Sequence, residues 1–110
     1  MEKKSKIDIG FFSEMQISFS DCGSIKSFIV DNVDYDKDKV VKYLEGFTRI
    51  ASCPRAAIDC VSGQQISRSF FVFEDDKYRW SDFLIYHIKK YNIRLPQDFI
   101  DHIMEKTRTT

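Results

Sequence analysis

The side chains best equipped for covalent or metal chemistry in this chain are Cys22, Cys53, Cys60, His87 and His102. A thiol on one element and an imidazole on another can form a nucleophile and its base, so Cys60 on a predicted strand and His87 on a predicted helix are the pair to consider. Nothing local activates either. Cys60 reads more plainly as an inward strand residue beside Ile58, and His87, between Tyr86 and Ile88, as a helix-flank or partner-facing histidine. His87 and His102 stand on separate predicted helices across a proline break, which is not a ligand motif. No cysteine pair has C-x-x-C spacing, and the chain has no Walker loop, no G-x-G-x-x-G and no H-E-x-x-H. The expectation is a protein with no catalytic residues, no metal and no cofactor.

The charged residues are more suggestive. Glu74-Asp75-Asp76 marks a hairpin tip, and Asp31, Asp34, Asp36 and Asp38 crowd the stretch before a predicted helix. Bunched carboxylates can hold calcium, but the twelve-residue loop with its glycine is absent. They can also present a negative patch to a basic partner, beside their ordinary work in turns, helix caps and solubility. The aromatics Tyr35, Tyr78, Trp80, Tyr86 and Tyr91 could stack on bases, with Arg79, Lys89, Lys90 and Arg94 supplying positive charge. That nucleic-acid-binding or regulatory module is the alternative reading. Lys+Arg and Asp+Glu balance at 17 each, so no bulk attraction to nucleic acid or anionic lipid supports it.

A chain of 110 residues with 43% apolar composition suits one domain, taken as residues 1–110, with enough large apolar surface for a core. Apolar runs extend only a handful of residues, too few to span a membrane. The basic start lacks the apolar stretch of a signal peptide behind it. An odd cysteine count leaves at least one thiol unpaired, so a reducing cytoplasm is expected.

Periodicity supplies the elements. Ile7, Ile9 and Phe11, then Met15, Ile17 and Phe19, alternate with polar or small residues and predict short strands. Asp21 with Ile25, Phe28 and Ile29 predicts a short helix from Cys22 to Val30. Asp36 caps a second helix carrying Val40, Tyr43, Leu44 and Phe47, with Gly46 as its left-handed stop. After the Cys53-Pro54 break, Ala57 to Val61 reads as a strand and Ser62-Gly63-Gln64 as a turn. Ile66 to Glu74 reads as a central strand, and Lys77 to Trp80 as an edge strand. Ser81 caps a helix to about Tyr91. Pro96 starts a last one with Phe99, Ile100, Ile103 and Met104 inside, and residues 106–110 are expected to fray. The fold class is α+β: a small antiparallel meander in mid-chain packed with N-terminal and C-terminal helices.

The stretch Phe73-Glu74-Asp75-Asp76-Lys77-Tyr78-Arg79-Trp80, then Asp82-Phe83-Leu84-Ile85-Tyr86-His87-Ile88 and Tyr91-Asn92-Ile93-Arg94-Leu95-Pro96-Gln97-Asp98-Phe99, resembles the immunity proteins of bacterial contact-dependent growth inhibition systems. In that pattern a Thr-Asp-Gly hairpin leads to a Trp, a helix with paired Tyr follows, and a Leu-Pro-x-x-Phe helix closes it. Here Glu74 stands for the Thr and Asp76 for the Gly. The resemblance implies a cytoplasmic antidote that binds the C-terminal toxin domain of a delivered effector, often a nuclease, and covers its active site. The motif residues Trp80, Tyr86, Tyr91, Leu95, Pro96 and Phe99 are of core or capping type, so the toxin contact is expected elsewhere. The acidic tip suggests Glu74, Asp75 and Asp76, with Tyr78 and His87 as neighbours.

Overall fold

The computed structural model describes residues 6–16 and 21–108. It is an α+β fold in which three helices, α1 (Lys37–Glu45), α2 (Asp82–Lys90) and α3 (Gln97–Arg108), pack with a four-stranded sheet. The sheet contains β1 (Ile7–Asp8), β2 (Arg49–Cys53), β5 (Phe70–Glu74) and β6 (Tyr78–Ser81) in the order β1-β6-β5-β2. A separate antiparallel hairpin, β3 (Ala57–Ile58) with β4 (Gln65–Ser67), is inserted between β2 and β5. The sheet is therefore not a simple meander, and its β1–β6 pair is parallel.

The predicted strand Ile66–Glu74 divides at Arg68-Ser69, so that β4 joins the small hairpin and β5 the main sheet. β5 is central, between β2 and β6, as its continuous apolar run requires. β6 is not an edge, because β1 lies on its outer side, with Ile7 opposite Tyr78. The predicted strand through Val61 stops at Ile58, where the Asp59 carboxylate accepts the N–H groups of Val61 at 2.9 Å and Ser62 at 3.0 Å and bends the chain.

The N-terminal third departs most from expectation. The first strand ends at Asp8, and the chain turns at Gly10, whose φ is +79°; a Cβ there would lie 2.5 Å from Leu84 Cδ1. Only glycine satisfies both the left-handed backbone and that close approach. Met15 sits in a 3-10 turn, Ser13–Met15, while Ile17 and Phe19 lie outside the described residues. The helix expected over Cys22–Val30 is a single 3-10 turn, Ile25–Ser27, capped by Ser24 Oγ. Its would-be helical backbone is spent on tertiary pairing instead: Val30 N donates to Asn92 O at 3.0 Å and Arg94 N to Phe28 O at 2.7 Å.

Helix α1 begins as predicted, with the Asp36 carboxylate accepting Lys39 N at 3.2 Å. It ends differently: Gly46 has φ −83° and closes the helix with a tight bond to Tyr43 O, so it is not a left-handed stop. Helix α3 continues to Arg108. Lys106 pairs with Asp76 at 3.0 Å and Arg108 with Glu105, so the tail holds its helix over 106–108.

Trp80 anchors the core. It is fully buried, its Nε1–H donates to Leu44 O at 3.3 Å, and Phe47 and Phe99 pack on its ring. Phe11, Phe70 and Phe83 form an edge-to-face series beneath the sheet, and each ring is essentially inaccessible. Burying side chains of this size contributes roughly 1.5–3 kcal/mol each.

Candidate functional site

Three buried polar centres hold the ends of the helices, and each is built from residues the sequence marked as reactive or acidic. The first joins Cys60 and His87. The two meet, but through the backbone: Cys60 N–H donates to His87 Nε2 at 2.9 Å, while Nδ1 lies 2.6 Å from Phe83 O. An Nε2 that accepts leaves the proton on Nδ1, so the imidazole is held neutral. Burial pushes the His87 pKa below its ordinary value, against the pull of the Phe83 carbonyl and nearby carboxylates. The thiol faces Ile58 O at 3.9 Å, and burial, with the charges of Glu14 and Asp59, pushes it up to about 12. A thiol so weakly acidic is a poor nucleophile.

Asp59 forms the second centre. Oδ1 takes the two turn amides already described, and Oδ2 accepts the hydroxyls of Tyr86 and Tyr91, each at 2.7 Å. Lys90 Nζ stands 3.4 Å away. Burial alone would raise this carboxyl, but the Ser62 amide, the two tyrosines and the Val61 amide hold it far below the usual carboxylate range.

The third centre is the hairpin tip. Asp75 points inward: Oδ1 accepts the amides of Lys77 and Tyr78, and Oδ2 accepts Tyr43 O–H at 2.6 Å and lies 2.7 Å from His102 Nε2. Tyr78 is buried against Phe99 and His102. Of the expected contact residues, Asp75 is thus an internal brace, and Tyr78 and His87 lie inside the fold, where a protein partner cannot touch them. Glu74 and Asp76 do reach the surface, the former 3.9 Å from Lys6 and the latter paired with Lys106. Asp75, Asp76 and His102 bring one ligand atom each within 4.8 Å of one another, but a cation there would compete with the hydrogen bonds that fold the tip.

The basic residues of the alternative reading are largely spoken for. Arg79 makes a two-pronged contact with Asp8 at 2.6 and 2.9 Å, Lys89 pairs with Glu45 at 2.9 Å, and Lys90 faces Asp59. Arg94 donates to Ser27 O and lies over the Phe28 ring.

The most developed surface feature lies elsewhere. A groove of about 660 Å³ runs between the 28–35 loop and the start of α3, lined by Phe28, Val30, Val33, Leu95, Pro96 and Ile100. A smaller hollow of about 250 Å³ continues it past Arg94 toward Ile9 and Phe12. The loop is tied to the connector before α3 by Tyr35 O–H to Ile93 O at 2.5 Å, Lys37 Nζ to Tyr91 O at 2.8 Å and Asn92 Nδ2 to Asp31 O at 2.6 Å. Burial, with Asp34 nearby, pushes the Tyr35 hydroxyl up to about 12, so it stays a donor. Asp34 stands on the groove wall, Asp31 is exposed on the same loop, and Asp36 and Asp38 are exposed at the cap and first turn of α1 that follows it. None of the four forms an ion pair among the described residues. The sequence disclosed these carboxylates but not the groove, whose apolar residues come from two segments about 60 residues apart in the chain.

Comparison with models of known families, with curated proteins and with solved structures finds no match for this chain. Among the described residues no helix is long and apolar enough to cross a membrane.

Proposed function

We propose that this chain is an immunity protein, one that binds the toxin domain of a contact-dependent growth inhibition effector in the cytoplasm and covers its active site. The observation that carries the reading is the apolar groove with Asp34 on its wall and Asp31 exposed on the same loop. Apolar walls offer a seat for a partner's anchor side chain, and Asp31, Asp34, Asp36 and Asp38 favour a basic partner such as a nuclease. The half-buried Glu74 and the exposed Asp76, beside Lys6 and Lys106, add a mixed-charge surface at the other end of α3. The buried Cys60, His87 and Asp59, each committed to a structural hydrogen bond, fit a protein that acts by binding. The nucleic-acid reading draws less support, because Arg79, Lys89 and Lys90 already face carboxylates.

The test is co-expression with the toxin domain of the effector encoded beside this chain, scoring growth rescue and co-purification. The unaltered protein should rescue. Reversing Asp31 and Asp34 to Lys should weaken binding at least tenfold and make it less sensitive to salt. Full rescue by that variant, at unchanged affinity, would remove the groove from the reading.

A further inference from the structure

The net charge of zero conceals a separation. Between Phe47 and Phe73 the chain carries Arg49, Arg55 and Arg68 and a single acidic residue, Asp59, which is buried. All three arginines are exposed, and none forms an ion pair among the described residues. Arg49 rests over the Phe71 ring at 4.2 Å, and Arg55 Nε donates to Met15 O at 3.3 Å. Glu14 shares a shallow hollow with Arg55, but its carboxylate is taken by Ser24 Oγ and Ile25 N.

These arginines bracket a sheet edge. β2 pairs with β5 on one side only, so half of its backbone N–H and C=O groups point outward without a partner among the described residues. Arg49 opens the strand. Cys53, the last residue of β2, lies opposite Phe70, the first of β5; Arg55 follows the one by two positions and Arg68 precedes the other by two. Ile50, 52% exposed, lies on the strand. A row of unpaired backbone groups, an exposed apolar side chain and positive charge at both ends is complementary to an extended segment rich in acidic residues.

We propose that the free edge of β2 is a docking site for an acidic extended segment of a partner protein, which adds to the sheet as a further strand. The backbone ladder supplies affinity, and the three arginines select the charge. A second copy of this chain is a poor occupant, because pairing β2 with β2 sets arginine against arginine. A nucleic acid would meet the arginines but leave the strand's carbonyls unpaired. This site is independent of the groove, which prefers a partner of opposite charge.

The probe is a synthetic acidic peptide alternating valine and glutamate, titrated into the full chain and followed by fluorescence anisotropy and amide hydrogen exchange. It should bind more tightly than its valine–lysine counterpart by roughly tenfold or more, weaken with salt, and slow exchange at β2 amides. Changing Arg49 and Arg68 together to Glu should abolish the preference and leave the circular dichroism spectrum unaltered. Equal affinity for both peptides overturns the proposal, as does binding without added protection at β2. A single-stranded oligonucleotide that competes fully, without protecting those amides, assigns the arginines to nucleic acid and also overturns it.

Discussion

The Cys60 amide donates to the Nε2 of His87, and that hydrogen bond fixes the tautomer of a histidine that burial in the core keeps neutral. A proton on Nε2 would break the bond and place a poorly solvated charge among the rings of Phe12, Tyr86 and Tyr91.

Stability should therefore fall as pH drops below the ordinary histidine value of 6.5. The folded pKa lies under the unfolded one, so the unfolded chain binds the extra proton first. The stabilisation is fully present above 6.5 and is lost as pH falls from there through the folded value. Urea unfolding at about pH 7.5 and about pH 5.5 measures it, and the loss should vanish in His87→Gln, whose amide oxygen can accept the Cys60 N–H. An unchanged midpoint in the native protein over that range would contradict the neutral imidazole.

Removing the Asp59 carboxylate strands two amides and two hydroxyls. Asp59→Ala should cost about 3–5 kcal/mol, whereas Tyr86→Phe or Tyr91→Phe, each deleting one hydroxyl, should cost about 1 kcal/mol. Chemical denaturation gives both figures. Comparable losses in all three variants would mean that the carboxylate is not the hub.

Gly10→Ala combines a disfavoured backbone with a clash against Leu84. Roughly 1–3 kcal/mol from the backbone, and as much again from overpacking, should be lost. A thermal midpoint equal to that of the unaltered protein would show that the chain can move aside at Gly10.

The Cys60 thiol, buried and pushed up to about 12, should resist alkylation in the native protein at mildly alkaline pH. Mass spectrometry after brief iodoacetamide treatment, with and without denaturant, separates the two states. Rapid native labelling of Cys60 would reopen the thiol as a reactive group.

The elements with strong local signals were legible in the sequence. The Asp36 cap and the Val40, Tyr43, Leu44 spacing place α1, and the apolar run Phe70 to Phe73 places the central strand. β2 escaped detection because Arg49 to Ser52 is exposed on both faces, which leaves no apolar alternation to read. The segment at Cys22–Val30 misled because its helical spacing is genuine while its backbone partners lie about 65 residues away, in the Asn92–Arg94 connector. The acidic tip was visible as a cluster. That Asp75 turns inward depends on Tyr43 and His102, which reach it from two different helices, and no local pattern conveys that.

The ties between the 28–37 loop and the connector carry a consequence for recognition. Because Tyr35, Lys37 and Asn92 hold the loop by side chains that face the fold, its ordering entropy is lost when the chain folds, and an incoming protein need not supply it again. The groove's shape is thus set in part by a tie outside its lining, from Asn92 Nδ2 to Asp31 O. Substitutions at Asn92 could retune which anchor is accepted while every residue lining the groove stayed the same.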